Sequence, residues 1–146
     1  MTIFEDILAG RSSGEIVYQD DRVAVIMDIA PMNPGHCLVI PRTPSGCLAD
    51  LDPADGERMF RVARIIANTL RAVIPECQGI NLFLADGQAA GQEVMHVHLH
   101  VIPRLDGDGI RLHRVRTKSA EKPSQDSINQ VAEILRARLA GDPCHG

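Results

Sequence analysis

The chain has 146 residues, 45% of them hydrophobic and 23% charged, with a formal net charge of −4. That suffices for one buried core and excludes a disordered chain. No apolar run approaches the roughly 20 residues of a membrane helix, the N-terminus shows no secretory pattern, and the acidity argues against nucleic-acid binding through phosphate charge. A cytoplasmic protein with neither a membrane nor a nucleic-acid partner is expected. The cysteines Cys37, Cys47, Cys77 and Cys144 form no Cys-x-x-Cys pair, so reduced thiols are expected rather than a zinc knuckle or a redox dithiol.

Phe4, Ile7 and Leu8 have i, i+3, i+4 spacing and predict a brief helix ending near Gly10. Strands over 15–19 and 22–28 flank a turn at Asp20-Asp21. The prolines and glycine of APMNPG, 30–35, make a loop, and HCLVIP, 36–41, reads as a third strand. Asp52 can cap a long helix that has Pro53 in its first turn and ends at Pro75. Met59, Ala63, Ile66, Leu70 and Val73 share one face of it. A strand over 79–85 follows, then a glycine-bearing loop, DGQAAG, 86–91, and a strand over 94–103. Residues 104–123 are polar, with little periodicity. A last helix over about 124–140 carries the stripe Ile128, Val131, Ala132, Leu135 and Leu139, with Gly141 as its stop. About five strands, beginning with a hairpin, predict an α+β fold. Its sheet is mainly antiparallel, with one long central helix and a C-terminal helix, in a single domain over 1–146.

Three of the six histidines fall within five residues, at His96, His98 and His100 in MHVHLHVIPR. On a strand, alternation turns all three imidazoles to one face and sends Val97, Leu99 and Val101 into the core. Neighbouring imidazoles then stand about 7 Å apart at Cβ, close enough to converge on a metal ion or an anion. A metal site is disfavoured: the triplet holds no carboxylate, Glu93 would point to the opposite face of a regular strand, and no HExxH occurs. An anion fits better. Gly87 and Gly91 let backbone N–H groups turn toward an oxyanion, Gln92 adds a side-chain donor, and histidine can donate to phosphate or attack phosphorus.

With these residues in place, the chain resembles the histidine triad family. The pattern His, apolar, His, apolar, His, apolar, apolar is met by MHVHLHVIPR, and AAGQEV, DIAPMNPGHCLVIP and TIFEDI are similar to the family's flanking segments. The resemblance runs from about residue 2 to 104; the tail over 105–146 is less typical. It implies a nucleotide hydrolase or nucleotidyl transferase that acts at an α-phosphate without metal or other cofactor. His98 would be the nucleophile, forming a nucleotidyl-histidine that water opens to release a nucleoside monophosphate. His96 and His100 would flank the phosphate, and His36 would sit behind the nucleophile and tune its protonation. Asp28 would hold the ribose, Ile3, Phe4, Ile7 and Ile29 would enclose a purine base, and Gln92 with the Val94 amide would contact phosphate. The substrates implied are nucleoside phosphoramidates or dinucleoside polyphosphates, and a homodimer is implied as well. The alternative is a nucleotide-binding regulatory protein with little turnover.

The departures are specific. Zinc-containing relatives have Cys-x-x-Cys at the start and a further histidine after the PxxPGH strand, where this chain has Thr2, Glu5 and Pro44. Ala85 stands where many relatives have Asn or Gln, and Glu93 where Ser or Thr often follows the loop glutamine. Arg104, after the triad strand, is a candidate phosphate contact, and the basic stretch RLHRVRTK, 111–118, is weighed as a solvated loop against a polyphosphate grip.

Overall fold

The computed structural model describes residues 1–111 and 123–141, in two compact units, Met1–Ile110 and Arg111–Gly146. The basic stretch beyond Arg111 and Cys144 lie outside the described residues. The first unit contains helix α1 (Ile3–Leu8), strands β1 (Ile16–Gln19), β2 (Val23–Met27) and β3 (Cys37–Pro41), helix α2 (Pro53–Val73), and strands β4 (Cys77–Phe83) and β5 (Leu99–Leu105). The strands form one sheet in the order β1-β2-β3-β5-β4, with every neighbouring pair antiparallel. This is the α+β architecture that the sequence predicts.

Central strands β2 and β3 read VAVIM and CLVIP because both faces of the sheet are covered there. Val23, Val25, Cys37 and Val39 face α2 and pack with Met59, Val62, Ala63 and Ala67. Ala24, Ile26, Leu38 and Ile40 face the other way and pack with Phe4 and Ile7 of α1. Val97 and Val101 join the α2 face, as the alternation predicts, which leaves the histidine triplet on the α1 face. Burial in that core pushes the Cys37 thiol up to about 11, so it stays protonated.

The structure differs from the sequence reading at several strand boundaries, with β4 over Cys77–Phe83 rather than 79–85, and at one core residue of α2. The strand expected from residue 94 starts at Leu99: the His96 N–H turns back to the Val94 carbonyl, 2.8 Å, and the Val97 N–H goes to Ser45, 2.7 Å, so the ladder begins late. Val73 does not share the core face of α2 and is exposed; Val62 and Ala67 fill that role. The hairpin between β1 and β2 is closed by Asp20, whose Oδ1 accepts from the N–H groups of Arg22 and Val23. Arg58 of α2 pairs with the same carboxylate at 2.7 Å, and these donors hold its pKa well below the usual carboxylate range.

The loop from Asp28 to His36 leads onto β3 through Gly35, at φ +94°. A Cβ there would stand 2.7 Å from Ile74 Cδ1 and 2.9 Å from Leu70 Cδ2, at the end of α2. Gly35→Ala is therefore expected to destabilise the fold by about 1–3 kcal/mol, through backbone strain and crowding together. A urea midpoint equal to that of the parent would show that the loop absorbs the methyl group freely.

The second unit contains helix α3 (Gln125–Leu139), begun by Ser124, whose Oγ accepts from the Ser127 N–H. Ile128, Val131, Leu135 and Leu139 of the predicted stripe are exposed along it.

Candidate active site

A pocket of about 530 Å³ opens on the α1 face of the sheet. Its apolar wall includes Ile3, Phe4 and Ile7 from the N-terminal segment, together with Ile29 and Val94. Its polar groups include Asp28, His36, Glu93, His98 and His100. The volume is in the range of sites for ligands of nucleotide size.

The proton positions follow from the hydrogen bonds. His98 Nδ1 lies 2.7 Å from the His96 carbonyl, which can only accept, so Nδ1 carries a proton and the tautomer with its lone pair on Nε2 is the neutral form that this contact selects. The chain bends at residues 94–96, just ahead of this contact. Phe4 sets its ring edge against His98 at 5.3 Å and fixes the ring plane. A neutral, oriented imidazole with a free Nε2 is what nucleophilic attack requires.

His100 receives its orientation from His36. The Met32 N–H donates to His36 Nδ1 at 3.1 Å, so a neutral His36 carries its proton on Nε2. That Nε2–H donates to His100 Nδ1 at 2.9 Å, which leaves the His100 proton on Nε2. Asp28 Oδ2 stands 3.4 Å from His36 Nε2 and 3.9 Å from His100 Nδ1. One ligand atom from each of Asp28, His36 and His100 lies within 4.8 Å of the other two, close enough to share a cation. Burial, with His98 and His36 beside it, moves His100 down to about 4 despite Asp28. His36 is lowered too, by its burial. Both rings are therefore neutral near pH 7.

His36 thus lies behind His100, whereas the resemblance implies a place behind His98; the His98 tautomer is set by its own chain at His96. His96 does not line the pocket. Fully buried, it donates from Nε2 to the Pro41 carbonyl at 2.8 Å and meets Thr2 Oγ1 with Nδ1 at 3.3 Å. Thr2 is also the cap of α1, in a reciprocal capping box with Glu5. His96 therefore fastens the helix that carries Phe4 and Ile7 to the end of β3. The positions that hold cysteines in zinc-containing relatives serve that cap.

Gln92 is also committed elsewhere. Its Nε2 donates to the carbonyls of Gly46 and Val94, and its Oε1 accepts from the Gly87 N–H at 2.7 Å. It closes the glycine loop, in which Gly87 and Gly91 both have positive φ, and does not line the pocket. Among the described residues no acceptor meets the Val94 N–H. Arg104 is held by Asp108, Asn81 and the Ile110 carbonyl and is absent from the pocket wall. Phe83 was not expected at the site. Its pairing with His100 across β4 and β5 brings it there, with ring centroids 5.7 Å apart.

A family model described as the HIT domain matches residues 9–107. The chain belongs to the HIT family. An uncharacterized HIT-like protein of Borreliella burgdorferi is 43% identical over 99 residues, covering 67% of this chain and 71% of that one. An adenylylsulfatase of Arabidopsis thaliana is 32% identical over 141 residues, covering 97% of this chain and 71% of its own. A crystal structure of a HIT family protein from Bacillus subtilis superposes with a TM-score of 0.81 at 30% identity, covering 97% of this chain and 99% of that chain. The resemblance read from the triad strand and its flanks is confirmed, and the sheet of this HIT chain matches that of its structural neighbours.

The lowered histidines of this HIT chain make its stability fall in acid. His100, His36 and His96 all have folded pKa values below the ordinary 6.5. Between pH 6.5 and about 4 the unfolded chain binds more protons than the folded one, so stability rises with pH across that window. The melting temperature is expected to fall by several degrees from pH 7 to pH 5, and by less in His100→Gln. A flat profile would mean that these imidazoles charge in place.

Proposed function

We propose that this protein is a nucleotide hydrolase that attacks an α-phosphate through His98 and releases a nucleoside monophosphate. The observation that carries the reading is the His98 Nδ1 bond to the His96 carbonyl, which frees Nε2 in a pocket with an apolar wall. Asp28 holds the ribose hydroxyls, and Ile3, Phe4, Ile7 and Ile29 enclose a purine. In the first step His98 Nε2 bonds to phosphorus as the bond to the leaving group breaks. The bound phosphate favours the imidazolium form of His100, in which its Nδ1–H and the His36 Nε2–H both turn to Asp28 Oδ2 as counter-charge, and the His100 Nε2–H protonates the departing atom. His100, neutral again, takes a proton from the water that displaces the nucleotide from His98. Two displacements replace one harder step.

The Val94 N–H is the phosphate donor of this reading, and Gln92 shapes the loop around it. Imidazole nucleophile and acid together supply the chemistry, so no metal is called for. The test is nucleoside monophosphate release from an adenosine phosphoramidate and a diadenosine polyphosphate in the presence of a chelator. Release unaffected by chelation supports the reading, and activity lost on chelation contradicts it.

One observation favours a second reading. Glu93 places a carboxylate on the pocket wall, and Gln92 and Ala85 offer the phosphate nothing. A nucleotide-binding protein with little turnover would tolerate this; tight nucleotide binding without release would select it. The homodimer implied by the family resemblance belongs to this proposal, and light scattering that gives the mass of one chain would remove it.

A further inference from the structure

We infer that Glu93 selects the leaving group: the site prefers nucleoside phosphoramidates whose departing amine carries a second, positively charged amino group over nucleotides with an anionic leaving group. The inference rests on the hydrolase reading of the site and narrows its substrate.

Its basis is the charge inventory of the pocket. Among the described residues two carboxylates line it, Asp28 and Glu93, and no lysine or arginine does. Asp28 already has partners: its Oδ1 accepts the Ala30 N–H at 2.8 Å and its Oδ2 faces His36 and His100, which leaves it acceptor capacity for ribose hydroxyls. Glu93 is exposed and, among the described residues, makes no hydrogen bond or ion pair. Arg104, the cation on the triad strand, is spent on Asp108, whose carboxyl it holds far below the usual range. His36 and His100 bring no standing charge before substrate binds, because burial keeps them neutral. A polyphosphate leaving group would therefore meet an uncompensated carboxylate and no cation on this wall. An ammonium on the leaving group would meet a carboxylate that lacks a partner.

Glu93 shares the pocket wall with Val94, whose N–H is open to phosphate, and with His98. In the proposal its carboxylate faces the leaving group of a nucleotide whose phosphate sits between His98 and the Val94 N–H. The bond changes are those already given: the His98 Nε2–phosphorus bond forms, the phosphorus–nitrogen bond breaks, and the amine takes one proton. The distal ammonium changes no bond; it pairs with Glu93 as the substrate docks.

The test uses the whole protein and three adenosine phosphoramidates with alkyl arms of equal length, ending in ammonium, methyl or carboxylate. The expected order of kcat/KM is ammonium, methyl, carboxylate. The first step should be about fivefold, the size a partly exposed ion pair supplies, and it should shrink as salt is added. Glu93→Gln should bring the three together and remove the salt dependence, and Glu93→Lys should reverse the order. Equal turnover of the three arms by the parent protein, or an unchanged order in Glu93→Gln, overturns the role of Glu93 and leaves the hydrolase reading standing. No turnover of any arm overturns both.

Discussion

Replacing His98 by alanine is expected to lower the rate of nucleoside monophosphate release by at least about 10⁴-fold, the scale at which removal of a covalent nucleophile acts. The residue touches Phe4 and bonds one carbonyl of its own chain, so the fold should survive its loss. Melting should stay within a few degrees of the parent, and nucleotide should still bind, because the apolar wall and Asp28 are untouched. Steady-state release and nucleotide titration on the same preparation separate the two effects. Release by His98→Ala at the parental rate would remove the histidine mechanism.

Replacing His96 by alanine is expected to do the reverse, with the larger effect on stability. Its ring is completely buried and both nitrogens have partners, the Pro41 carbonyl and the Thr2 hydroxyl. Truncation leaves those two groups unpaired and opens a cavity beside Phe4, 5.6 Å away. Together these should destabilise the fold by about 3 kcal/mol, which for a chain of this size lowers the melting temperature by roughly 10 °C. In the molecules that remain folded, α1 is less firmly held, so KM for nucleotide should rise more than kcat falls. Parental melting together with lost turnover would return His96 to the phosphate, where the family resemblance puts it.

The contrast between these histidines shows how far the sequence is legible. Alternation along HVHLHV correctly separates the imidazoles from Val97, Leu99 and Val101, because side-chain direction follows from the backbone alone. The same pattern treats the three imidazoles as equals. What distinguishes them is their partners: His96 meets a carbonyl 55 residues away, His98 meets the carbonyl two residues back, and His100 meets His36 across β3 and β5. No spacing rule encodes those partners.

Asp28, Ile3, Phe4, Ile7, Ile29 and Val94 all reach the pocket as the resemblance implies. Gln92 does not, because loop closure around Gly87 and Gly91 uses its amide first. Arg104 is held off the pocket wall in a similar way: Asp108, four residues on, pairs with it. In both cases a local partner outcompetes a ligand, and the signal that could have shown it was the nearby glycine or acidic residue. The late start of β5 has the same kind of cause, since the Ser45 carbonyl takes the Val97 N–H before the ladder can.

The measurement that tests the central claim most directly is mass spectrometry of the protein quenched in acid-free medium during turnover of an adenosine phosphoramidate. The account predicts one adenylyl group on the peptide that carries His98, appearing before product accumulates and absent from His98→Ala. Steady product release with no adduct, or an adduct on another residue, would contradict it.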